Sequence, residues 1–448
     1  MIVMKFGGTS VGGPEAMRRV RRIVADRLAL DPVVVVSAVG GVTNLLLENA
    51  RRSRERSREG IRLLEEFRRV HDRIIGELGL PAGLVAKEYT QLAEVLHGVY
   101  YLGELTPRTL DYVASFGERV SAKIMSALFE AGGIPSRPYT GAEAGIVTND
   151  EHGNASPLPS TYGIVRRRLK RARKLPVVTG FIARNRRGEI TTLGRGGSDF
   201  TAAIIGRGVG AREIQIWTDV AGMMTADPRV VKTARTIPRL GFDEAAELAY
   251  FGAKVLHPRT IEPAVEKEIP VRILYTFAPD APGTLVVRKA PRSRGAIRAI
   301  ACKKRNTLFT LRSTRMLAAH GYLARIFEVF KHYAVSVDLI ATSEVSVSVT
   351  VDAGAAPKLK GIIGELGRIC TARVFENRAI VCLVGEGIGE TPRIAGKIFS
   401  GVGRAGVNVE MISQASSARN ISFLVKDEDA DKTVRLLHRS FLEKGARG

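Results

Sequence analysis

Lys5-Phe-Gly-Gly-Thr-Ser10 follows a short apolar run at residues 2–4. A glycine turn offers backbone N–H groups to an anion, the following helix adds its positive end, and a lysine beside the turn reaches the same phosphates. The Walker spacing GxxxxGK[ST] is absent, and taken alone the hexamer also fits a tight strand–helix turn. Thr192-Leu-Gly-Arg195-Gly-Gly-Ser198-Asp199 sits between a strand-like segment and a helix expected over 200–205. Its guanidinium, flexible glycines, hydroxyl and carboxylate are more than a capped loop requires. The block WTDVAGMMTADPR, residues 217–229, begins at an expected strand end, where open α/β sheets take ligands. There Thr218 and Asp219 can hold a ribose or a metal's water shell, and Arg229 can meet phosphate. FGAKVLHP, residues 251–258, puts Lys254 at a helix end, and His257 before Pro258 reads as a packed residue rather than a base.

The elements that must position these blocks alternate through the first 285 residues. Helices fit 14–30 and 116–131. A longer helical stretch fits 45–96, where Leu63, Phe67, Val70 and Ile74 share one face. The unbroken valines of 33–37 describe a buried strand, and further strands fit 177–181, 213–217 and 271–274. This alternation predicts an α/β fold with a mostly parallel sheet sandwiched by helices. Prolines cluster over 278–291, and a linker is expected over 286–304.

The remainder contains a repeat. Phe327 and Phe399, Val335 and Val407, Val337 and Val409, and Ile340 and Ile412 recur at one spacing. Each copy reads as helix, turn, alternating strand, loop and second strand, the grammar of a ferredoxin-like βαββαβ unit. Gly401-Val-Gly-Arg-Ala-Gly406 matches GxGxxG, but it follows an expected helix and precedes an expected strand. That is the reverse of the dinucleotide fingerprint.

The chain has 448 residues and a formal net charge of +23. The excess invites a nucleic-acid reading. Yet the basic run over 51–73 is interleaved with Glu55, Glu59, Glu65, Glu66 and Asp72, which describes a salt-bridged helix face. Neither nucleic acid nor a membrane is expected as a partner, since no apolar run approaches the roughly 20 residues of a span. The N-terminus reads at once as a strand rather than a signal peptide, so a cytoplasmic protein is expected. Cys302, Cys370 and Cys382 form no CxxC pair and show no zinc spacing with histidine, so no resident metal site is expected.

Taken together, KFGGTS, SAVGGVTN (37–44), FGERVSA (116–122), TTLGRGGSDFTA (191–202), WTDVAGMMTADPR and FGAKVLHP resemble, in order and spacing, the aspartate kinases of the amino acid kinase family. The tandem repeat is similar to ACT domains, which bind free amino acids. The resemblance implies a kinase domain over 1–285 and two ACT domains over 305–377 and 378–448. It implies transfer of the γ-phosphoryl group of ATP, taken with Mg²⁺, to the side-chain carboxylate of L-aspartate. That is the first step toward lysine, threonine and methionine. Catalytic roles fall to Lys5 and Asp199. Thr43, Glu118, Arg195, Gly196, Gly197 and Ser198 would hold aspartate. Lys5, Phe6, Gly7, Gly8, Thr218, Asp219, Met224, Arg229, Lys254 and Val255 would hold ATP, with Met224 standing where many relatives carry Tyr.

In the tail, Met316, Gly321, Tyr322, Leu323, Ser336, Val337, Asp338, Thr342, Ser343 and Glu344 match the effector site of the lysine-inhibited branch. Asp338 and Glu344 could pair with an ammonium tail, which favours lysine over threonine. A homodimer or larger assembly through the ACT domains, without a fused dehydrogenase, is expected. The competing readings are a kinase of another acid, such as acetylglutamate, or of a nucleotide monophosphate, and a catalytically silent amino-acid sensor or nucleic-acid-binding protein on the same fold.

The chemistry stands on its own terms. A carboxylate with a pKa near 3.9 is already nucleophilic at neutral pH, so no general base is needed. The obstacle is its repulsion by the triphosphate, about 4 kcal/mol for two unit charges about 4 Å apart at an effective dielectric of about 20. Fixed cations and amide dipoles must offset this and stabilise the transferring group.

Overall fold

The computed structural model describes residues 1–57, 59–252, 256, 258–291, 296–316, 320–414 and 419–443. Two compact units emerge. The first takes residues 1–223, 238–242 and 255–290; the second takes the segments 224–237 and 243–254 together with 291–448.

The first unit is built on an eight-stranded sheet. In spatial order its strands are Ser136–Tyr139, Leu175–Thr179, Pro32–Val36, Ile2–Phe6, Ile214–Thr218, Val271–Tyr275, Thr284–Val287 and Arg239–Gly241. The first six run parallel, and Thr284–Val287 turns antiparallel against Val271–Tyr275. Every residue of Ile2–Phe6, Pro32–Val36 and Leu175–Thr179 is buried. Burial on both faces is why these strands read as continuous aliphatic runs. Met4, Phe6, Val34 and Val36 share one core with Met17 and Val20 of the helix Pro14–Ala25, Phe116 and Phe129 of the helix Pro107–Ala131, and Trp217. The expected 45–96 stretch resolves into the helices Val42–Arg54, Glu59–Glu77 and Ala86–Leu102.

Two boundaries differ from expectation in ways that matter for the site. The strand Ile2–Phe6 includes Lys5, which therefore leaves the sheet at a fixed angle instead of riding in the turn. The helix Pro107–Ala131 begins nine residues earlier than expected. Thr106 caps it, accepting from the Thr109 N–H, and Pro107 occupies its first turn. Glu118 is thus mid-helix and not at a helix start.

The second unit carries a six-stranded antiparallel sheet in the order Val337–Thr342, Ser346–Val351, Ala299–Arg312, Thr371–Val384, Asn420–Lys426 and Met411–Ser413. The two central strands are 14 residues each and pair along their length, so both repeats share one continuous sheet. The strand Ala299–Arg312 enters the segment expected as linker. The repeat is exact in register: the helix Tyr322–His332 and its counterpart Ile394–Arg404 are offset by 72 residues, as are the two long strands. Left-handed Arg305 (φ 60°) and Asn377 (φ 55°) mark the same repeat position on the two long strands. The GxGxxG segment falls at the end of the helix Ile394–Arg404, so no strand feeds it.

Candidate functional site

The six parallel strands of the first unit end on one edge of the sheet. The chain proceeds from Ile2–Phe6 to Pro32–Val36 on one side, whereas Ile214–Thr218 lies on the other. A crevice at such a reversal, outside the carboxyl ends of the strands, is where open α/β sheets take ligands. Lys5 points there. Its Nζ stands 2.6 Å from Asp199 Oδ1, with both side chains about one-tenth exposed. The contact is an ion pair off the alignment of a good hydrogen bond. Asp199 lies in the first turn of the helix Gly197–Val209, where the helix dipole favours its negative charge. Residues 5 and 199, far apart in sequence, are therefore brought together.

The glycine turn is closely packed. A Cβ on Gly8 would stand 3.0 Å from the Ala38 carbonyl, and one on Gly7 would stand 3.4 Å from Lys5 Nζ. The Gly7 N–H donates to the Trp217 carbonyl, and the Gly197 N–H to the Gly194 carbonyl. Those two amides are committed to the fold, whereas the Gly8 and Gly196 amides have no backbone acceptor among the described residues. Gly194 (φ 75°) and Gly196 (φ 69°) flank Arg195 in left-handed conformation, which side-chain-bearing residues rarely adopt. Arg195 is exposed, with no ion-pair partner among the described residues.

Glu118 reaches the 37–41 loop from beneath. Its Oε1 accepts from the Ala38 N–H at 3.3 Å, and its Oε2 has no partner among the described residues. Gly117 allows that approach, since a Cβ there would meet the Ala38 side chain at 2.8 Å. Burial drives the Glu118 carboxyl up to about 8, against the opposing pull of the Ala38 N–H. Once ionised, a buried carboxyl with one unused oxygen has the chemistry to receive a cation. Thr43 is half-buried in the first turn of Val42–Arg54, and Ser198 is buried against Gly180.

The expected nucleotide residues divide. Phe6 is buried, stacked on Trp217 at 5.9 Å, and thus supports the sheet from inside. Thr218 ends its strand, and its hydroxyl donates to Asp219 Oδ1 at 3.2 Å. Met224 and Arg229 belong to the second unit. There Met224 bridges Thr236, and Arg229 forks onto Asp227 at 2.6 Å, which holds that carboxyl below its usual range. Lys254 and Val255 lie outside the described residues, as does His257.

In the second unit the expected effector residues collect around one helix and one edge strand. Gly321 (φ 74°) caps the helix Tyr322–His332, Tyr322 Oη donates to the Ile369 carbonyl, and Leu323 is exposed. Met316 and Val337 pack on the same core as Tyr322, and Ser336 is exposed just before the strand. Thr342 ends the strand, Ser343 Oγ meets Ser346 Oγ at 2.6 Å, and Glu344 is exposed in the hairpin. Asp338 is already engaged. Lys303 Nζ lies 2.6 Å from its Oδ2, and Tyr250 Oη donates to its Oδ1 at 2.7 Å. Sequence reading missed both partners, which are drawn from another strand and from the helix Phe242–Phe251.

Among the described residues no group of three or more His, Cys, Asp or Glu could hold a metal, and no helix is long and apolar enough to cross a membrane.

Comparison with known proteins places this geometry. Residues 1–275 match the amino acid kinase family, and residues 381–441 match an ACT domain. Aspartokinase 2, chloroplastic, of Arabidopsis thaliana is 40% identical, covering 98% of this chain and 84% of its own. The lysine-sensitive aspartokinase 3 of Escherichia coli is 36% identical, with 99% of both chains covered. A crystal structure of E. coli aspartokinase III with aspartate and ADP superposes with a TM-score of 0.83 at 33% identity, over 98% of this chain and 99% of that one.

Proposed function

Because this chain belongs to the amino acid kinase family, and within it to the aspartokinases, we propose that its first unit transfers the γ-phosphoryl group of MgATP to the side-chain carboxylate of L-aspartate, giving 4-phospho-L-aspartate and ADP. The observation that carries this is the Lys5–Asp199 ion pair at the carboxyl edge of the parallel sheet. An ammonium held there by a carboxylate is a fixed positive charge in a crevice of low dielectric, aimed where a transferring phosphoryl group accumulates charge.

The remaining roles belong to the same proposal. Glu118, with one oxygen unused, takes the substrate's ammonium. Arg195 forks onto its α-carboxylate, as guanidinium does with planar anions. Thr43 and Ser198 supply hydroxyls. The Gly8 and Gly196 amides face the phosphoryl oxygens. The side-chain carboxylate attacks the γ-phosphorus, the β–γ bridging oxygen leaves with ADP, and no proton need move. Thr218 and Asp219, at the end of their strand, belong to the nucleotide site in this reading. Mg²⁺ enters with ATP as its counter-ion.

The kinase domain of this reading spans 1–285, and its ACT domains span 305–377 and 378–448. Regulation is by lysine rather than threonine. Asp338 already binds an ε-ammonium, that of Lys303, so its surroundings suit the same group on a free amino acid. Assembly is a homodimer or larger through the ACT sheet, whose edge strands expose Ile340 and Ile412, and the setting is cytoplasmic. ADP release measured across L-aspartate, N-acetyl-L-glutamate and nucleoside monophosphates, with and without lysine, tests the reading. Turnover confined to aspartate and suppressed by lysine supports it; turnover with another acceptor instead overturns it.

A further inference from the structure

Asp111 lies seven residues before Glu118 on the helix Pro107–Ala131, two turns away and so on the same face. It is 3% exposed, and its carboxylate is saturated. Oδ1 accepts from Thr192 Oγ1 at 2.6 Å and from the Gly153 N–H at 3.1 Å. Oδ2 accepts from the Thr192 N–H at 3.2 Å, from the Gly153 N–H at 3.0 Å, and lies 2.8 Å from His152 Nδ1. None of these donors belongs to the helix that carries Asp111.

The donors come from two segments that bear on Arg195. Thr192 ends the strand Ile190–Thr192 and runs directly into Leu193-Gly194-Arg195. His152 and Gly153 belong to a loop that packs on that same turn. A Cβ on Gly194 would stand 2.7 Å from Asn154 Oδ1, and the Ala155 N–H donates to the Thr192 carbonyl at 2.8 Å. The far side of the loop is held by Arg259, whose Nη1 donates to Asn154 Oδ1 and whose Nη2 donates to Ser156 Oγ.

We infer that Asp111 is a positioning residue for recognition of the amino-acid substrate: it ties the Arg195 turn to the helix that carries Glu118, and so sets the spacing between the groups that take the α-carboxylate and the ammonium. This rests on the roles proposed above for Glu118 and Arg195. Asp111 touches no reacting atom. The two substrate groups it serves share one carbon, so their separation is fixed, and receptors held at the matching separation bind without reorganising. Slack between them costs affinity for that substrate, because misplacement by about 1 Å is expensive at such sites. The glycine turn after Ile2–Phe6 has no bond to Asp111, so nucleotide affinity stays out of its reach.

Asp111→Asn preserves shape but turns an amide N–H₂ toward backbone N–H donors. Steady-state kinetics on the full-length protein should show KM for L-aspartate raised about tenfold or more, with KM for MgATP within about twofold and kcat changed far less than KM, the signature of lost ground-state binding. Thr192→Val removes the hydroxyl that donates to Asp111 Oδ1 without changing shape, and a rise of about threefold in the same KM is expected. Ser126→Ala, on the same helix as Asp111, loses a buried hydroxyl pair with Ser136 of the strand Ser136–Tyr139; it is the stability control and keeps both KM values. If the Asn variant does not fold, the Val variant decides. An unchanged aspartate KM in either folded variant, or an equal rise for both substrates, overturns the inference and marks Asp111 as structural. A wild-type protein inert toward aspartate overturns instead the reading of Glu118 and Arg195 on which it depends.

Discussion

The protonation of Glu118 should govern aspartate affinity in a narrow pH window. Burial raises its carboxyl to about 8 in the empty site, but only the ionised form receives an ammonium. For a single group, apparent affinity is weakened by the reciprocal of the ionised fraction. That factor is about 11 at pH 7.0, about 2 at pH 8.0 and about 1.3 at pH 8.5. KM for aspartate should therefore fall about eightfold from pH 7.0 to 8.5, close to 1.2 kcal/mol. Across this range the substrate's own ammonium stays largely charged. The sign is fixed by the direction of the shift: a carboxyl raised by burial gains its charge, and its ligand, as pH rises. The same shift destabilises the empty protein progressively as pH climbs from the ordinary carboxylate range to about 8, and saturating aspartate should restore the loss. Initial rates with aspartate varied at saturating MgATP give the profile, with Glu118→Gln as reference. The Gln variant should show a higher KM with no pH dependence. A wild-type KM that is flat, or that falls toward acid pH, refutes the assignment of Glu118 to the ammonium.

Other consequences follow from single contacts. Asp199→Asn leaves Lys5 without its counter-charge, and kcat should fall about 10²-fold with a much smaller change in aspartate KM, read from initial rates. Lys303→Met frees the Asp338 carboxylate and should lower the lysine concentration for half-inhibition by about fivefold, while Asp338→Asn should abolish inhibition. Dose–response curves check both, and unchanged curves would remove Asp338 from the effector site. Glu88 is buried and paired with Lys123 at 2.8 Å and Arg119 at 3.6 Å. Because Lys123 is one-third exposed, Glu88→Ala should cost about 2 kcal/mol, seen as a drop of a few degrees in the first melting transition.

The parts of this molecule legible in its sequence are those written in local pattern. The valines of Pro32–Val36 announce a strand buried on both faces, and the recurrence at Phe327 and Phe399 announces duplicated modules. Lys5, Asp199, Glu118 and Arg195 stand out through their blocks, and of these Lys5 and Asp199 meet as an ion pair. What escaped was set by long-range pairing. Nothing local says that two 14-residue strands will pair and merge both repeats into one sheet. Asp111 finds its partners 41 and 81 residues away, and Asp338 finds its own 35 and 88 residues away. A lone acid on a helix or strand face gives no hint of either. The early start of the helix Pro107–Ala131 was readable, since Thr106-Pro107 is a capping residue followed by the imino acid best suited to a first turn.

Catalysis in this protein depends on a positively charged group fixed at the end of the first strand, acting on a phosphoryl group in transit to a carboxylate. Hydroxylamine traps acyl phosphates as hydroxamates, so the product of that transfer can be read directly. With aspartate, MgATP and hydroxylamine, the wild-type protein should accumulate the aspartyl hydroxamate in step with ADP. Lys5→Ala, folded by circular dichroism, should form it at least about 10³-fold more slowly. Hydroxamate formation near the wild-type rate in Lys5→Ala would contradict the account.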